Sequence, residues 1–405
     1  MAVLSAGCST ICVYAEGANT NSTVAETAHS TAASVDDIHR WIDELDHDVY
    51  SVRHDAAAQL LAAGISARKP LQALVNGPDP ETRAAARRLI ALIDQSEFHR
   101  RLEAFAADTD GKQGATLPGW EQFQKLVGSD PAARALFVDM QRQEGTLLAT
   151  ALDAGARSPG DIVQSRLQRL IQSEVFTGNR SASPALGSCA TMVFLGSLSE
   201  IGISDQSAVL INVLCQRQPI GEIIRSEHRE DAVRRLVVGW LLHCPVKNEQ
   251  VLRQRLDTVK TDGIDEALPL AVSVISGRPL YKSVHPNTRA MAALVIGQLG
   301  NAELIDRVEP LLEDVSICFP PQGQLLGQRA PAVQVRDVAL VVLLQLTGQR
   351  PADYGYTSAQ LQLPIKAYLM QSLYRDNDQQ RAESIAKWRQ WRANRPNSTA
   401  AAKAD

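Results

Sequence analysis

One short unit recurs along the chain: an arginine, an alanine three residues later, and a leucine or isoleucine four residues after that. Five copies occur, at Arg53-Ala56-Leu60, Arg83-Ala86-Ile90, Arg229-Ala232-Leu236, Arg289-Ala292-Ile296 and Arg336-Ala339-Leu343. A repeat at helical spacing restricts a chain to architectures in which similar elements stack on one another. The unit therefore predicts a helical repeat protein.

Each unit continues as an apolar stripe along one side of an α-helix. In the last copy, Ala339, Val342, Leu343 and Leu346 lie at positions i, i+3, i+4 and i+7. The small alanine allows a neighbouring helix to approach closely, and the larger residues fill the space between the helices. After the fourth copy, a second apolar stripe follows a Gly-Asn break, at Leu304, Val308, Leu311 and Leu312. The unit is thus a helix pair, which must stack on another pair to bury its apolar face.

Local signals place several helix boundaries. Proline is tolerated at the first helical position, where its missing N–H has no partner, and this predicts helix starts at Pro80, Pro131, Pro159 and Pro286. Asp36 or Asp37 is expected to cap the first helix. The last helix is predicted over Asn377–Asn394.

The repeated sequence pattern resembles that of a known protein family. Val-Arg-x-x-Ala-x-x-x-Leu, at Val52-Arg53 and Val335-Arg336, looks like the HEAT and armadillo repeats, and the likeness spans most of residues 40–375. The runs SVRHDAAAQLLAAG, LPGWEQFQKLVGSDPAARALFVDMQ and QVRDVALVVLLQLTGQRPADYGY are similar to uncharacterised bacterial HEAT-like proteins. The resemblance implies an all-α fold, a right-handed α–α superhelix of the HEAT/ARM-like solenoid kind.

The repeats are irregular, because the copies at Arg53 and Arg83 are 30 residues apart and those at Arg229, Arg289 and Arg336 are 60 and 47 apart. Two longer loops interrupt the pattern, at Ser276–Pro286 and Ser316–Pro331. Loops of a solenoid lie on one face and often carry binding residues, which makes Phe319 and Leu325–Leu326 candidates for specificity.

The chain divides into five expected segments: a leader over 1–15, a flexible linker over 16–35, HEAT-like helical blocks over 36–157 and 158–394, and a disordered tail over 395–405. The leader, AVLSAGCSTICVYA, is apolar and ends in small residues, which favours export to the periplasm or cell envelope. A lipid anchor at Cys8 is an alternative. A disordered cytoplasmic N-terminus is the other, because no Lys or Arg precedes Arg40.

Composition narrows the classes of function. The chain is 45% apolar and 21% charged but only 5% aromatic, and no apolar run approaches the roughly 18 residues of a membrane-spanning helix. A net charge of −4 argues against a general polyanion binder.

Few residues of the sequence are candidates for a chemical role. Cys8 and Cys12 form the one close cysteine pair and lie in the leader, while Cys189 and Cys215 are expected to pack in the core. Cys244 and Cys318 can form a disulfide only if the chain is exported. His39, His47 and His54 have acidic neighbours, but His39 and His47 are predicted on one helix and His54 on the next, which favours a solvated face over a metal site.

Charged residues at helix starts, such as Asp231 and Asp337, are expected to stabilise helix ends rather than act as acids. The chain has no phosphate-loop, zinc-protease or nucleophile-elbow motif. It also has no His-Glu dipeptide, the pattern on which some HEAT-repeat enzymes carry a di-iron centre.

A non-enzymatic scaffold or adaptor that binds another protein is therefore the economical hypothesis, and no catalytic, cofactor-binding or metal-binding residue is assigned. One alternative is a HEAT-type enzyme or lyase subunit acting on a small molecule, which would need ionisable groups that converge on one face. Another is a nucleic-acid binder that uses Arg375–Arg395, where six basic residues are interleaved with Trp388 and Trp391.

Overall fold

The computed structural model describes residues 33–112, 114, 116–153, 155, 157–176, 184–226, 231–246, 248–277, 284–321, 324–325, 328–329 and 331–394. The predicted leader and tail, most of the linker, and Arg229 of the third repeat copy lie outside these residues. The described residues form seventeen α-helices and six short strands. The expected all-α class is confirmed. No helix in the described part is long and apolar enough to cross a bilayer.

The chain forms two units, Met1–Phe98 and His99–Asp405. The N-terminal unit contains α1 Val35–Glu44, α2 Tyr50–Ala63, α3 Ile65–Leu74 and the first part of α4 Pro80–Ala107.

The second unit contains the remaining helices. In chain order they are α5 Trp120–Val127, α6 Pro131–Ala151, α7 Pro159–Phe176, α8 Leu186–Ser197, α9 Asp205–Gln216, α10 Ile220–Arg225, α11 Ala232–His243, α12 Glu249–Asp262, α13 Leu268–Ile275, α14 Pro286–Leu299, α15 Ile305–Val308, α16 Val335–Leu346 and α17 Asp378–Ala393.

The sequence places a boundary between two helical blocks at residues 157 and 158, and that division stays a prediction. Helix α6, before this boundary, packs against α7 and α8, which follow it. Apolar side chains on both sides of the boundary, such as Leu148 and Val163, are fully buried.

The six strands pair into three antiparallel sheets of two strands. The strands are β1 Ile317–Phe319, β2 Gln324–Leu325, β3 Gln328–Arg329, β4 Val333–Gln334, β5 Leu361–Gln362 and β6 Ala367–Tyr368. β1 pairs with β4, β2 with β3, and β5 with β6. The long loop Ser316–Pro331 is thus largely a pair of short ribbons, and Cys318 within it is buried.

The repeated unit packs as its spelling predicts. All five alanines and all five following leucines or isoleucines are buried, including Ala292 and Ile296 on α14 and Ala339 and Leu343 on α16. α14 and α16 pack against each other, which places these two copies side by side.

Helices begin at Pro80, Pro131, Pro159 and Pro286. The last helix, α17, begins after Asn377, whose side chain accepts from the N–H of Gln380 and caps it.

Two boundary predictions were wrong in detail. The cap of α1 is Ser34, whose Oγ accepts from the N–H of Asp37 at 3.1 Å, so neither Asp36 nor Asp37 caps that helix. The helix predicted after Gly300 has only one α-helical turn, α15, between two 3-10 segments. Pro310 lacks the N–H that a longer α-helix would need at that position.

The arginines of the first two copies make the same contacts. Arg53 Nη1 donates to the carbonyls of His47 and Asp48 at 2.7 and 3.0 Å, and Arg83 Nη1 donates to those of Gly77 and Pro78 at 2.8 and 2.7 Å. Each arginine therefore ties the fourth residue of its helix to the turn before that helix. Arg289 and Arg336 instead pair with the carboxylates of Asp314 and Asp378.

The densest part of the second unit surrounds α8. Eleven of its twelve residues are buried, and it packs against α6, α9 and α11. Cys189, on this helix, is buried in the core as expected. Gly187 makes the contact with α6 close, since a Cβ there would lie 2.5 Å from the carbonyl oxygen of Asp139.

Candidate functional site

Exposed apolar side chains concentrate in the N-terminal unit. Ten large apolar residues of the described chain are exposed, and six belong to residues 33–98: Val35, Val49, Tyr50, Leu61, Ile65 and Leu92. The much larger second unit supplies the other four. An apolar surface rimmed by polar residues is typical of an interaction site.

Three of these six side chains border one groove between α2 and α4. The groove has a volume of about 340 Å³ and is open to solvent along one side. Its lining residues are Leu45, Tyr50, Arg53, His54, Ala57, Ala58, Leu61, Glu81, Ala85, Arg88, Leu89 and Leu92. Leu45 and Leu89 are buried and form its floor, while Tyr50, Leu61 and Leu92 are exposed at its edges.

The groove exists because α2 carries two apolar stripes. Ala56 and Leu60 face the core and are fully buried. Tyr50, Ala57 and Leu61, at i, i+7 and i+11, lie on the adjacent face and line the groove.

Helix α4 repeats this arrangement. Ala86, Ile90 and Ile93 are buried in the core of the unit, while Ala85 and Leu92 line the groove. The core stripes are predicted from the sequence pattern, whereas the groove stripes are not. The signal was the doubling of apolar residues, as in Ala56-Ala57-Ala58 and Leu60-Leu61.

The starts of the two helices that line the groove lie close together. Arg53, in the first turns of α2, has its Nη2 3.7 Å from Oε1 of Glu81, the second residue of α4. The helix starts are therefore neighbours, and Leu61 and Leu92 lie toward the opposite end of the groove.

Tyr50 is held in place at the entrance although its ring is 71% exposed. The His54 ring stacks on it with centroids 5.9 Å apart and an interplanar angle of 20°. The Arg53 guanidinium lies 5.8 Å from the Tyr50 centroid, and the same arginine is tied to two carbonyls of the preceding turn. A ring fixed in this way loses little freedom on binding a partner.

The groove carries one cation without a partner among the described residues. Arg53 is engaged by carbonyls and by Glu81, and Arg87, outside the groove, donates to the carbonyl of Val75 at 3.4 Å. Arg88 lines the groove, is exposed, and makes no hydrogen bond or ion pair with the described residues.

The cysteines considered above do not form a site in the described chain. Cys189, Cys215, Cys244 and Cys318 form no disulfide within the described part of the chain, and all but Cys244 are buried. Burial raises the pKa of Cys318 to about 12. Cys8 and Cys12 lie outside the described residues.

The three histidines near the N-terminus play separate roles. His47 lies in the turn after α1, not on that helix with His39 as predicted, and its Nδ1 accepts from the N–H of Val49 at 3.0 Å. His54 stacks on Tyr50 in the groove. Across the described residues, no group of three or more His, Cys, Asp or Glu side chains is placed to hold a metal ion.

The two acids at helix starts stabilise those starts, as predicted. Asp231 accepts from the N–H of Val233 at 2.7 Å and caps α11. Asp337 forms a capping box on α16 and also accepts from Arg381 Nε and the Tyr356 hydroxyl. Desolvation by burial raises the pKa of Asp337 despite the paired arginine.

The basic C-terminal helix faces the chain's own acids. Arg392 pairs with Asp306 at 2.8 Å, Arg389 pairs with Glu313, and Arg381 pairs with buried Asp337 at 3.0 Å. Trp388 is fully buried and its Nε1 donates to Glu309 at 3.0 Å. These contacts engage three of the six basic residues and one of the two tryptophans on which the nucleic-acid alternative depends, and that alternative stays a hypothesis.

The two long loops that are predicted to carry binding specificity are only partly described. Residues 278–283 of the first loop lie outside the described part, as does Leu326 in the second, and the side chain of Leu325 is likewise not described. Phe319 belongs to β1 and is partly buried. The specificity predicted for these loops stays a prediction.

A polar cluster in the second unit lies at a bend in α6. Glu144 has non-helical dihedrals, φ −136° and ψ 26°, and lies at a kink between two helical segments. Its buried carboxylate accepts from Arg166 Nε at 2.9 Å and from Ser188 Oγ at 2.6 Å. Both carboxylate oxygens have donors, so this cluster holds α6, α7 and α8 together.

Comparison with known proteins gives no relative. No protein-family model, no curated protein and no solved structure matches this chain.

Proposed function

We propose that this protein is a non-enzymatic scaffold or adaptor that binds a partner protein, and that the groove between α2 and α4 is a contact surface. The observation that supports this proposal is the half-open apolar groove with Tyr50, Leu61 and Leu92 exposed along its edges. Covering what remains exposed of these side chains contributes roughly 1 kcal/mol each.

The groove alone is small for a stable complex. Specific protein interfaces bury about 1,200–2,000 Å² in total, so the partner must contact more of the chain than these twelve residues. The HEAT-like superhelix that the sequence predicts would supply such an extended face, built from successive helix pairs. The fixed Tyr50 ring and the apolar floor suit the groove to be the central anchor of that interface.

Photo-crosslinking from single positions tests the proposal. Benzoylphenylalanine at Leu92 places a reactive group in the groove of the full-length chain, in the cells that produce it. The matched control carries the same group at Ile65, which is 57% exposed in the same unit but does not line the groove. We expect one defined protein adduct from position 92, identified by mass spectrometry, and no such adduct from position 65.

The adduct must also depend on the groove. Adding Leu61→Glu places a charge in the apolar lining and should abolish the position-92 adduct while the chain stays folded by circular dichroism. Identical adducts from positions 65 and 92, or a position-92 adduct that survives Leu61→Glu, would refute the proposed contact surface.

A further inference from the structure

We infer that the occupant of the α2/α4 groove is an amphipathic α-helix of the partner that carries an acidic side chain opposite Arg88. This inference rests on the proposed function and specifies the chemistry of the partner.

A helix fits because the apolar floor of the groove offers no group that pairs with an extended backbone. Both walls are helices, whose backbone groups are already paired within α2 and α4. The lining contains no Asn, Gln, Ser or Thr side chain that would bond peptide groups along the groove floor. An extended peptide would leave N–H and C=O groups unpaired on an apolar floor, which costs free energy for each group, whereas a helix satisfies its own.

The dimensions of the groove set the length of that helix. On each wall the lining spans twelve residues, from Tyr50 to Leu61 and from Glu81 to Leu92. Twelve residues of helix extend about 18 Å, a little over three turns. The middle of the groove is lined by Ala57, Ala58 and Ala85, small residues that let another helix approach closely. Large apolar side chains of the occupant then fill the space above Leu45 and Leu89.

The charged residues of the groove determine the remaining feature of the occupant, its acidic side chain. Arg88 is the cation of the groove without a partner among the described residues, and Glu81 at the other end already lies beside Arg53. Arg88 follows Glu81 by seven residues, which places it about 10 Å along the wall. A carboxylate on the occupant at that level pairs with the guanidinium at the rim, whereas a lysine there is repelled.

Selection of helical peptides by the purified full-length chain tests the inference. The probe is a displayed library of peptides of about 15 residues with a fixed apolar stripe at i, i+3, i+4 and i+7 and all other positions randomised. We expect enriched sequences to share an acidic residue at one position beside the stripe. Fluorescence anisotropy then measures the labelled peptide against three variants of the chain.

The variants separate the apolar and charged contributions. Leu61→Glu should weaken binding at least about tenfold, because it puts a charge against the apolar stripe. Arg88→Glu should weaken it on the order of fivefold, and a peptide with Lys in place of its acid should recover the loss on that variant. Ile65→Glu, exposed but outside the groove, should leave binding unchanged.

Other results overturn the inference. These are enriched peptides without a shared acid, binding that is insensitive to Leu61→Glu, or no enrichment at all. A self-association of the chain that Leu92→Glu abolishes would assign the groove to a second copy. A crosslink from position 92 to residues 1–32 would assign it to the chain's own N-terminal segment. If position 92 still crosslinks a partner while no helix is selected, the helical occupant is wrong and the proposed function stands.

Discussion

Arg234 shows how single residues hold the second unit together. Its Nε and Nη2 donate to the two carboxylate oxygens of Glu266, each at 2.8 Å, and its Nη1 donates to the carbonyl of Ile224 at 2.9 Å. The arginine is buried, while Glu266 is partly open to solvent. Its hydrogen bonds to Arg234 lower the pKa of Glu266 to about 2, below its usual 4.5.

This pair predicts a pH dependence of stability. Because the folded-state pKa of Glu266 is lowered, its contribution is complete above pH 4.5 and declines as the pH falls toward 2. Glu266→Gln should therefore reduce the free energy of unfolding by about 1 kcal/mol at neutral pH, a figure kept small by solvent screening. Urea unfolding at several pH values should show the two proteins converging as the pH falls from about 4.5 toward 2.

The control for that series is Glu103→Gln, which removes an exposed carboxylate without a partner in the described chain. The difference in the free energy of unfolding between the Glu103→Gln variant and the parent protein should not change over the same pH range. A Glu266→Gln difference that stayed constant as the pH fell would mean that the pair does not stabilise the fold.

At the scale of elements, the close contact of α8 with α6 depends on Gly187. Gly187→Ala would put a methyl group against the Asp139 carbonyl, a backbone atom that cannot rotate away. We expect a loss of about 2 kcal/mol from overpacking, seen as a lower urea midpoint. Gly155→Ala is the matched control, because the nearest atom to its new Cβ is 3.8 Å away. Equal midpoints for the two variants would contradict the contact.

Elements were predictable from sequence wherever the signal was local. The prolines at 80, 131 and 286 begin helices, because the missing N–H is a property of the residue itself. The repeated alanines are buried as expected. The cap of α1 escaped prediction because Ser34, Asp36 and Asp37 are all good caps, and only the observed chain direction before Val35 selects the serine.

The groove could not be predicted for a different reason. Both faces of α2 that carry apolar residues look alike in sequence, and only tertiary packing decides which one is covered. Ala56 and Leu60 are fully buried in the core of the unit, whereas Ala57 is only partly buried against that core and Leu61 is exposed. Burial of one stripe and exposure of the next is a property of how the helices are placed, which periodicity alone does not contain.

For the whole molecule, burial is uneven along the chain. Eleven of twelve residues of α8 and nine of twelve of α16 are buried, but only two of fourteen in α2 and two of ten in α3. Segments with few buried contacts open at lower free energy than dense ones.

Hydrogen exchange on the intact protein should follow this gradient. Amides of α8 and α16 should exchange slowest, and those of α1 to α3 faster, when exchange is followed by mass spectrometry. If the amides of α2 exchanged as slowly as those of α8, the small core of the N-terminal unit would be enough to keep that unit closed. Binding of a groove-directed helical peptide should slow exchange in α2 with little change in α8.

The arginine contact shared by the first two repeats has a consequence for how such a chain can evolve. The Nη1 atoms of Arg53 and Arg83 donate to main-chain oxygens, and the four residues that supply those oxygens are of four different types: His47, Asp48, Gly77 and Pro78. Because every amino acid provides a main-chain carbonyl, mutations can accumulate in these turns without removing the acceptors of the arginine hydrogen bonds. A repeat unit whose arginine contacts lie within the unit itself can also be duplicated by recombination without a compensating mutation in the neighbouring units.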